Sequence, residues 1–275
     1  MASHPLSHGV RSHPSRVSRG EENGALRKHP RLLFDPRNMQ TPLLVWVRAD
    51  LGIGLNGSAV STWADYSGEG NNFAQATASL QPAPTANGIG GRPGISFDGT
   101  SDQINGPSFY GMLSDPADWS FFVVGGGWTW GASVNAYHGR GMLGAPVLGS
   151  SYFYVGVTTE AGPGIGTGYW DASAHRIGYE DSAAEGQNVI VAGTSDGGEV
   201  TTRVNGSAGS TTSGATGAGV NSLGTLLQIG KGNGNLNYWD GSISEVLVFD
   251  GALSGEEINQ VEQYLGDRYD IGVQG

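Results

Sequence analysis

Chemistry in this chain has to come from carboxylates, hydroxyls or a few imidazoles, because it holds no cysteine and six histidines. A thiolate nucleophile, a thiolate metal site and a disulfide framework are thereby excluded. Cleavage of a glycosidic bond needs two carboxyl groups, one to attack or assist and one to protonate the leaving oxygen. A strand presents such a pair on one face when the residues stand two apart. No Glu here has an Asp two residues later; Glu180, Asp181 and Glu185 come nearest, and Glu180 and Asp181 fall on opposite faces. Asp98 and Asp102 stand four apart, with nothing else to mark them as a site. A Ser-His-Asp triad would have to use His138 or His175, and no Gly-x-Ser-x-Gly nucleophile elbow is expected. His175 alternates with Ile177 and Tyr179, the pattern of a half-buried structural imidazole. No catalytic residue is assigned, and the chain is expected not to be an enzyme.

Binding residues are more numerous. Trp128, Trp130, Tyr169 and Trp170 fall in Gly-rich stretches that read as loops. Exposed aromatic faces would pack on sugar rings as a glycan platform; core or interface packing is the competing use of such residues. Gly52-Ile53-Gly54-Leu55-Asn56-Gly57 spells a dinucleotide fingerprint. Ser58-Ala59 and a strand come next, where a helix N-terminus would have to hold the pyrophosphate, so that reading is rejected. The glycines at 162, 164, 166 and 168 lack the Lys-Ser/Thr of a phosphate loop.

Charge is unevenly placed. Residues 1–40 carry a net +4 and residues 41–275 a net −15, within a total of −11. Residues 1–30 hold almost no large apolar side chain, so they cannot offset their own chain entropy and are expected to be an extended arm that a partner orders. Arg11, Arg16, Arg19, Arg27 and Arg31 can make bidentate bonds to carboxylates, and Leu32, Leu33 and Phe34 can plug an apolar pocket. Glu21, Glu22 and Asp35 interrupt the basic track, which disfavours nucleic acid. His4, His8, His13 and His29 match no metal-ligand spacing.

The elements that must position these residues read as strands. Leu43–Arg48 is one, with Trp46 in it, and Trp119–Gly125, Ser151–Thr158 and His175–Tyr179 are others. Asn188–Thr194 and Glu199–Asn205 make a hairpin across Asp196-Gly197-Gly198, and Leu226–Gly230 is a further strand. Residues 126–150, the stretch holding Tyr169 and Trp170, and Ser207–Asn221 read as loops. In the last strand, Ile243, Leu247 and Phe249 fall on one face and Val246 and Val248 on the other, so cover is expected on both sides. Glu245 shares the first of these faces; once buried it needs a partner such as an Arg or a Trp N–H, and it is read as structural. Ser254 then opens a helix as N-cap, with Glu257 completing a capping box and Ile258, Val261 and Leu265 forming an apolar stripe.

Three stretches carry a family resemblance. Gly241, Ile243, Glu245 and Val246, together with Leu253, Ser254, Glu257, Ile258, Tyr264 and Leu265, resemble the closing strand and helix of laminin-G-like, concanavalin A-like jelly rolls. Asp50, Gly52, Trp63, Asp65, Ser67, Gly68 and Asn71 resemble the family's opening, and Gly94–Asp102 its Phe-Asp-Gly strand end. The resemblance covers roughly Leu43 to Tyr269 and implies an all-β jelly-roll sandwich with one short C-terminal helix and an extended N-terminal arm. Domains are set at 1–40 for the arm and 41–275 for the jelly roll. Members of this family bind glycans or proteins, decorate virus particles or carry glycanase sites. The family also permits calcium; Asp65, Asp98 and Asp102 are the carboxylates available, each equally suited to capping a turn, and no metal or cofactor is assigned.

Hydrophobic residues at 37% support a packed core, and 48 glycines without a three-residue period suit a turn-rich β fold. No apolar run approaches a membrane span, and the N-terminus lacks the apolar stretch of a signal peptide. The expectation is a non-catalytic structural or decoration protein of a bacteriophage particle, made in the host cytoplasm, oligomeric, and anchored to other subunits through its arm. The alternative is a glycan-binding adhesion module at an extracellular surface.

Overall fold

In a computed structural model of the chain, the described residues are 1, 34–129, 140–146, 152–158, 164–170, 175–181, 183–212, 226–232 and 237–274. The chain divides into two compact units, Met1–Phe34 and Asp35–Gly275. Of the arm residues named above, only Phe34 and Asp35 lie among the described residues. The second unit is a β-sandwich. Its first sheet contains β1 (Leu43–Arg48), β5 (Ala83–Thr85), β6 (Gly94–Asp98), β8 (Trp119–Gly126), β13 (Val189–Asp196), β14 (Glu199–Val204) and β17 (Asp240–Phe249). The second contains β2 (Ile53–Asn56), β3 (Ala59–Trp63), β4 (Phe73–Ala74), β7 (Ile104–Ser108), β9 (Gly141–Pro146), β10 (Tyr152–Thr158), β11 (Gly164–Trp170), β12 (His175–Glu180) and β16 (Leu226–Ile229). All strand pairings between these elements are antiparallel, and β15 (Ser207–Thr212) pairs with both β14 and β12, joining the sheets along one side. Among the described residues the α-helices are α1, a single turn at Phe109–Met112, and α2, Gly255–Tyr269.

β17 is the centre of the first sheet. It pairs with β8 along one edge, and with β6 and then β1 along the other. Val246 and Val248 point into the sandwich core with Val45, Val47, Phe121 and Val123. Leu247 and Phe249 are also fully buried on the opposite face, where α2 buries Ile258, Val261 and Leu265. Cover on both faces is therefore found as expected. One residue departs from simple alternation. The register shifts against β8 between Ile243 and Glu245, so Ser244 is an extra residue and Ile243 joins the Val246 face instead of the Leu247 face. The capping box is formed: Glu257 N–H donates to Ser254 Oγ at 3.3 Å, and Ser254 N–H donates back to Glu257 Oε2 at 2.9 Å.

Three stretches read as loops contain strands. Gly141–Pro146, Gly164–Trp170 and Ser207–Thr212 are β9, β11 and β15. In each of them a glycine serves close approach, not turning. A Cβ on Gly141 would lie 2.1 Å from Gly232 N, one on Gly164 2.3 Å from the Tyr179 ring, and one on Gly209 2.1 Å from Tyr179 O. The hairpin across Asp196–Gly198 and the strands at Leu43, Trp119, Ser151, His175 and Leu226 stand where the sequence puts them, within a residue or two.

Candidate functional site

One end of the sandwich gathers polar side chains from five segments. β6 ends at Asp98, whose register partner is Asp240 at the start of β17. Asp98 is consumed by its own turn: Oδ1 accepts the Thr100, Ser101 and Asp102 N–H groups at 2.8, 2.8 and 3.0 Å, and Oδ2 accepts the Thr100 hydroxyl at 2.5 Å. Asp102 Oδ2 in turn accepts the Asp98 N–H at 3.1 Å. The two carboxyls separate electrostatically. Burial works upward on Asp98, but the donated hydrogen bonds outweigh it and hold the carboxyl well below the usual range. Burial and the Asp98 charge push Asp102 up to about 6.

Asp240 holds both flanks of the segment 130–139. Thr129 Oγ1 donates to its Oδ2 at 2.8 Å, and Arg140 Nη1 pairs with the same oxygen at 3.0 Å. Arg140 lies across Gly99, where a Cβ would come 2.2 Å from Nη1. Beside it, Lys231 Nζ sits 5.1 Å from the centroid of Tyr238. Beneath this rim, Trp128 and Trp239 are fully buried with ring centroids 6.1 Å apart. The rim thus offers carboxylate acceptors, guanidinium and ammonium donors and a tyrosine ring at the mouth of a segment that begins with Trp130.

The four aromatic residues proposed for sugar binding do not form one platform. Trp128 is corrected: it is 0% exposed and belongs to the core, so its face is not available to a ligand. Trp130 lies outside the described residues, one position after the rim residue Thr129. Tyr169 and Trp170 are in a strand, not a loop, and their register partners are Phe153 with Arg176 and Tyr152 with His175. The opposite end of β11, at Ile165, is the one near the rim, because Ile165 pairs with Val157, whose N–H donates to Arg140 O at 2.9 Å. Trp170 therefore stands roughly 17 Å along the strand from that end at ~3.3 Å per residue.

A second cluster holds the molecule together. Glu245 is 0% exposed and accepts Trp46 Nε1–H at 2.7 Å, Tyr264 OH at 2.9 Å and Tyr269 OH at 2.8 Å, with Arg268 Nε 3.1 Å away. Burial pushes its carboxyl up, against the hydrogen bonds from Trp46, Tyr269 and Tyr264 and the Arg268 charge. The structural reading of Glu245 holds, with both an Arg and a Trp N–H as partners. Arg203 makes a bidentate pair with buried Glu262, at 3.0 and 2.9 Å, fixing α2 to β14. Asp65 caps a tight loop as read from sequence: Oδ1 accepts Trp46 N–H and Ser67 N–H, and Oδ2 accepts Asn71 N–H.

Other candidate reaction centres have structural uses. Glu180 is buried and accepts the Ser207 hydroxyl at 3.2 Å, whereas Asp181 is exposed. Gly193-Thr194-Ser195-Asp196-Gly197 does spell Gly-x-Ser-x-Gly. It runs from β13 into a hairpin, not from strand to helix, and Ser195 Oγ is tied to Ala117 O at 2.6 Å, so it is no nucleophile elbow. The Gly52–Gly57 string forms the β2–β3 hairpin and leads into no helix. Among the described residues no group of three or more His, Asp or Glu side chains is placed to hold a metal ion. No described helix is long and apolar enough to cross a membrane. His138 lies outside the described residues.

Solved structures of the same shape are numerous. Domain 4 of an extracellular arabinanase from Geobacillus stearothermophilus, in complex with arabinotriose, superposes with TM-score 0.55 at 14% identity, over 82% of this chain and 100% of that domain. The receptor binding domain of botulinum neurotoxin type G gives 0.56 at 11% identity over 82% of this chain, and a botulinum neurotoxin type C structure concerned with two ganglioside molecules gives 0.55 at 10% over 82%. The chain spans about half the length of these two neurotoxin chains, 52% and 51%. At such identities the likeness is one of fold. A search of curated proteins gives no match. Residues 128–259 match the model of the Concanavalin A-like lectin/glucanases superfamily, Laminin_G_3, and the compact body has the jelly-roll sandwich fold that its first and last strands foretell.

Proposed function

We propose that the protein is a non-catalytic carbohydrate-recognition module whose ligand site is the rim around Asp240. The observation that carries this reading is the Asp240 clasp, which ties both flanks of the 130–139 segment beside Lys231, Tyr238 and Asp102. Hydroxyl-rich ligands need acceptors and donors in alternation and one ring to stack on, and the rim supplies each. Two solved relatives of the fold, one with arabinotriose and one concerned with gangliosides, support a sugar as ligand class. Hydrolysis is not part of the proposal, since Asp98 spends its oxygens on its own turn. The test is a glycan array with the full chain and its Trp130→Ala and Tyr238→Ala variants. A bound glycan lost by about tenfold or more in both variants is expected. No glycan bound at high micromolar protein, or release of reducing ends by the chain, ends this reading.

A second reading concerns where the module is displayed. The asymmetry of a +4 arm on a −15 body supports attachment to a larger assembly, with a virus particle surface as the expected setting. A chain beginning at Asp35 provides the test: it should fold, yet fail to join that assembly.

A further inference from the structure

β-sandwiches must dispose of their open sheet edges, because unpaired backbone groups recruit other strands. Here one side is closed by β15, which pairs with both sheets. On the other side β1, β5 and β2 each have an edge to account for. The Asp65 loop covers β1: Trp46 N–H donates to Asp65 Oδ1 at 2.8 Å, and Trp46 O accepts Tyr66 N–H at 2.7 Å. β5 carries Pro84, which has no N–H to offer. β2 has neither device. Among the described residues it pairs with β3 alone, and half of its backbone groups point away from that partner.

The surroundings of this edge are unusual for the molecule. Leu51, Leu55 and Tyr66, at 38%, 55% and 36% exposure, are three of the four exposed large hydrophobics described in the compact unit. Tyr66 lies against the entry to β2, where a Cβ on Gly52 would come 2.9 Å from its ring. Residues 51–64 contain no charged side chain, in a body whose net charge is −15. Two copies that meet at this stretch bring no charge to it. At β2 they meet neutral and apolar, and an antiparallel edge pairs with its own copy about a two-fold axis, each residue meeting its symmetric counterpart. A register shift against β3 at Gly54–Leu55 keeps the seam short, so its strength rests on these apolar side chains.

We propose that β2 is a self-association edge, at which two copies of this chain pair antiparallel into a dimer. The partner class follows from the edge and its surroundings together: a cationic partner would choose acidic side chains elsewhere, and a second copy meets here an open strand edge and exposed apolar side chains with no like charge among them.

The experiment is light scattering and sedimentation equilibrium on the full chain across a concentration series, beside Leu55→Lys and Leu226→Lys. Leu226 is likewise exposed, at 45%, but sits on β16. The expected result is a rise from 28.5 kDa toward twice that mass with concentration. Leu55→Lys should weaken the dimer by about tenfold or more, and Leu226→Lys should leave it alone. Both variants should melt as the parent does, since both sites are exposed, which separates lost pairing from lost folding. The dimer should tighten as salt is added, because screening relieves repulsion between acidic bodies while the seam has no ion pairs to lose. A monomer into the hundreds of micromolar, a dimer indifferent to Leu55→Lys, or one that salt dissolves would each overturn the proposal.

Discussion

Asp102 shows how much one side chain can reveal. Its folded pKa near 6 lies above the ordinary 3.8, so the folded state holds this proton more tightly than the unfolded chain does. Below about pH 4 the group is neutral in both states and costs nothing. As pH rises from about 4 to 6 the unfolded chain gives up this proton while the folded state, with Asp98 beside it, still holds it, and stability is lost across that window. We predict that Asp102→Asn melts higher than the parent at pH 7 and indistinguishably near pH 3.5. The amide oxygen can still accept the Asp98 N–H. The size of the displacement corresponds to ~3 kcal/mol unscreened, reduced to about 1 kcal/mol by solvent. A lower melting temperature for the variant at pH 7 would show that the carboxylate is needed, as an ion, for the turn. The sequence exposed both aspartates and their turn-capping use, but not this opposition of charge, because it arises from a burial that spacing alone does not specify.

Among the elements, α2 was the most legible and β11 the least. A capping box, an apolar stripe and a strand before it mark a helix by local rules, and each rule is obeyed in place. Ser254→Ala should cost about 1 kcal/mol, the ordinary worth of an N-cap, read as a lower melting temperature or denaturant midpoint. Unchanged stability would mean that Glu257 holds the first turn without it. Gly164–Trp170, by contrast, reads as a loop because glycine is the residue of turns. Gly164 is there because neighbouring chain passes too close for a side chain, and no local rule separates these two uses. The same ambiguity hid β9. Trp128 follows β8 in a loop as read, yet its ring is sealed beneath the rim beside Trp239.

At the scale of the molecule the sandwich was legible from its two ends, whose motifs sit on β1 with its capping loop and on β17 with α2. The rim was not, because it is assembled from segments near positions 98, 129, 140, 231 and 240 that only the folded topology brings together. Charge asymmetry, unlike fold, is a property that sequence states outright. We predict that a chain beginning at Asp35 folds and melts as the full chain does, since the compact unit starts there, yet fails to join the assembly that the full chain joins. Arg-to-carboxylate attachment should also weaken with salt. Equal incorporation of the shortened chain would reduce the arm to a solvated tail.

The Glu245 cluster sets an order of events during synthesis. Trp46 is bonded to a carboxylate 199 positions later in the chain, and β17 is the strand that β1 pairs with. While the chain is still emerging from a ribosome, Leu43–Val47 has no strand to rest on. The sandwich can be completed only when nearly the whole sequence has been made, which places the rate-limiting closure late and makes folding slow for its size. A chain that stops short of Asp240 leaves an apolar, β-prone pentapeptide bare, the kind of segment that draws unfinished chains into aggregates.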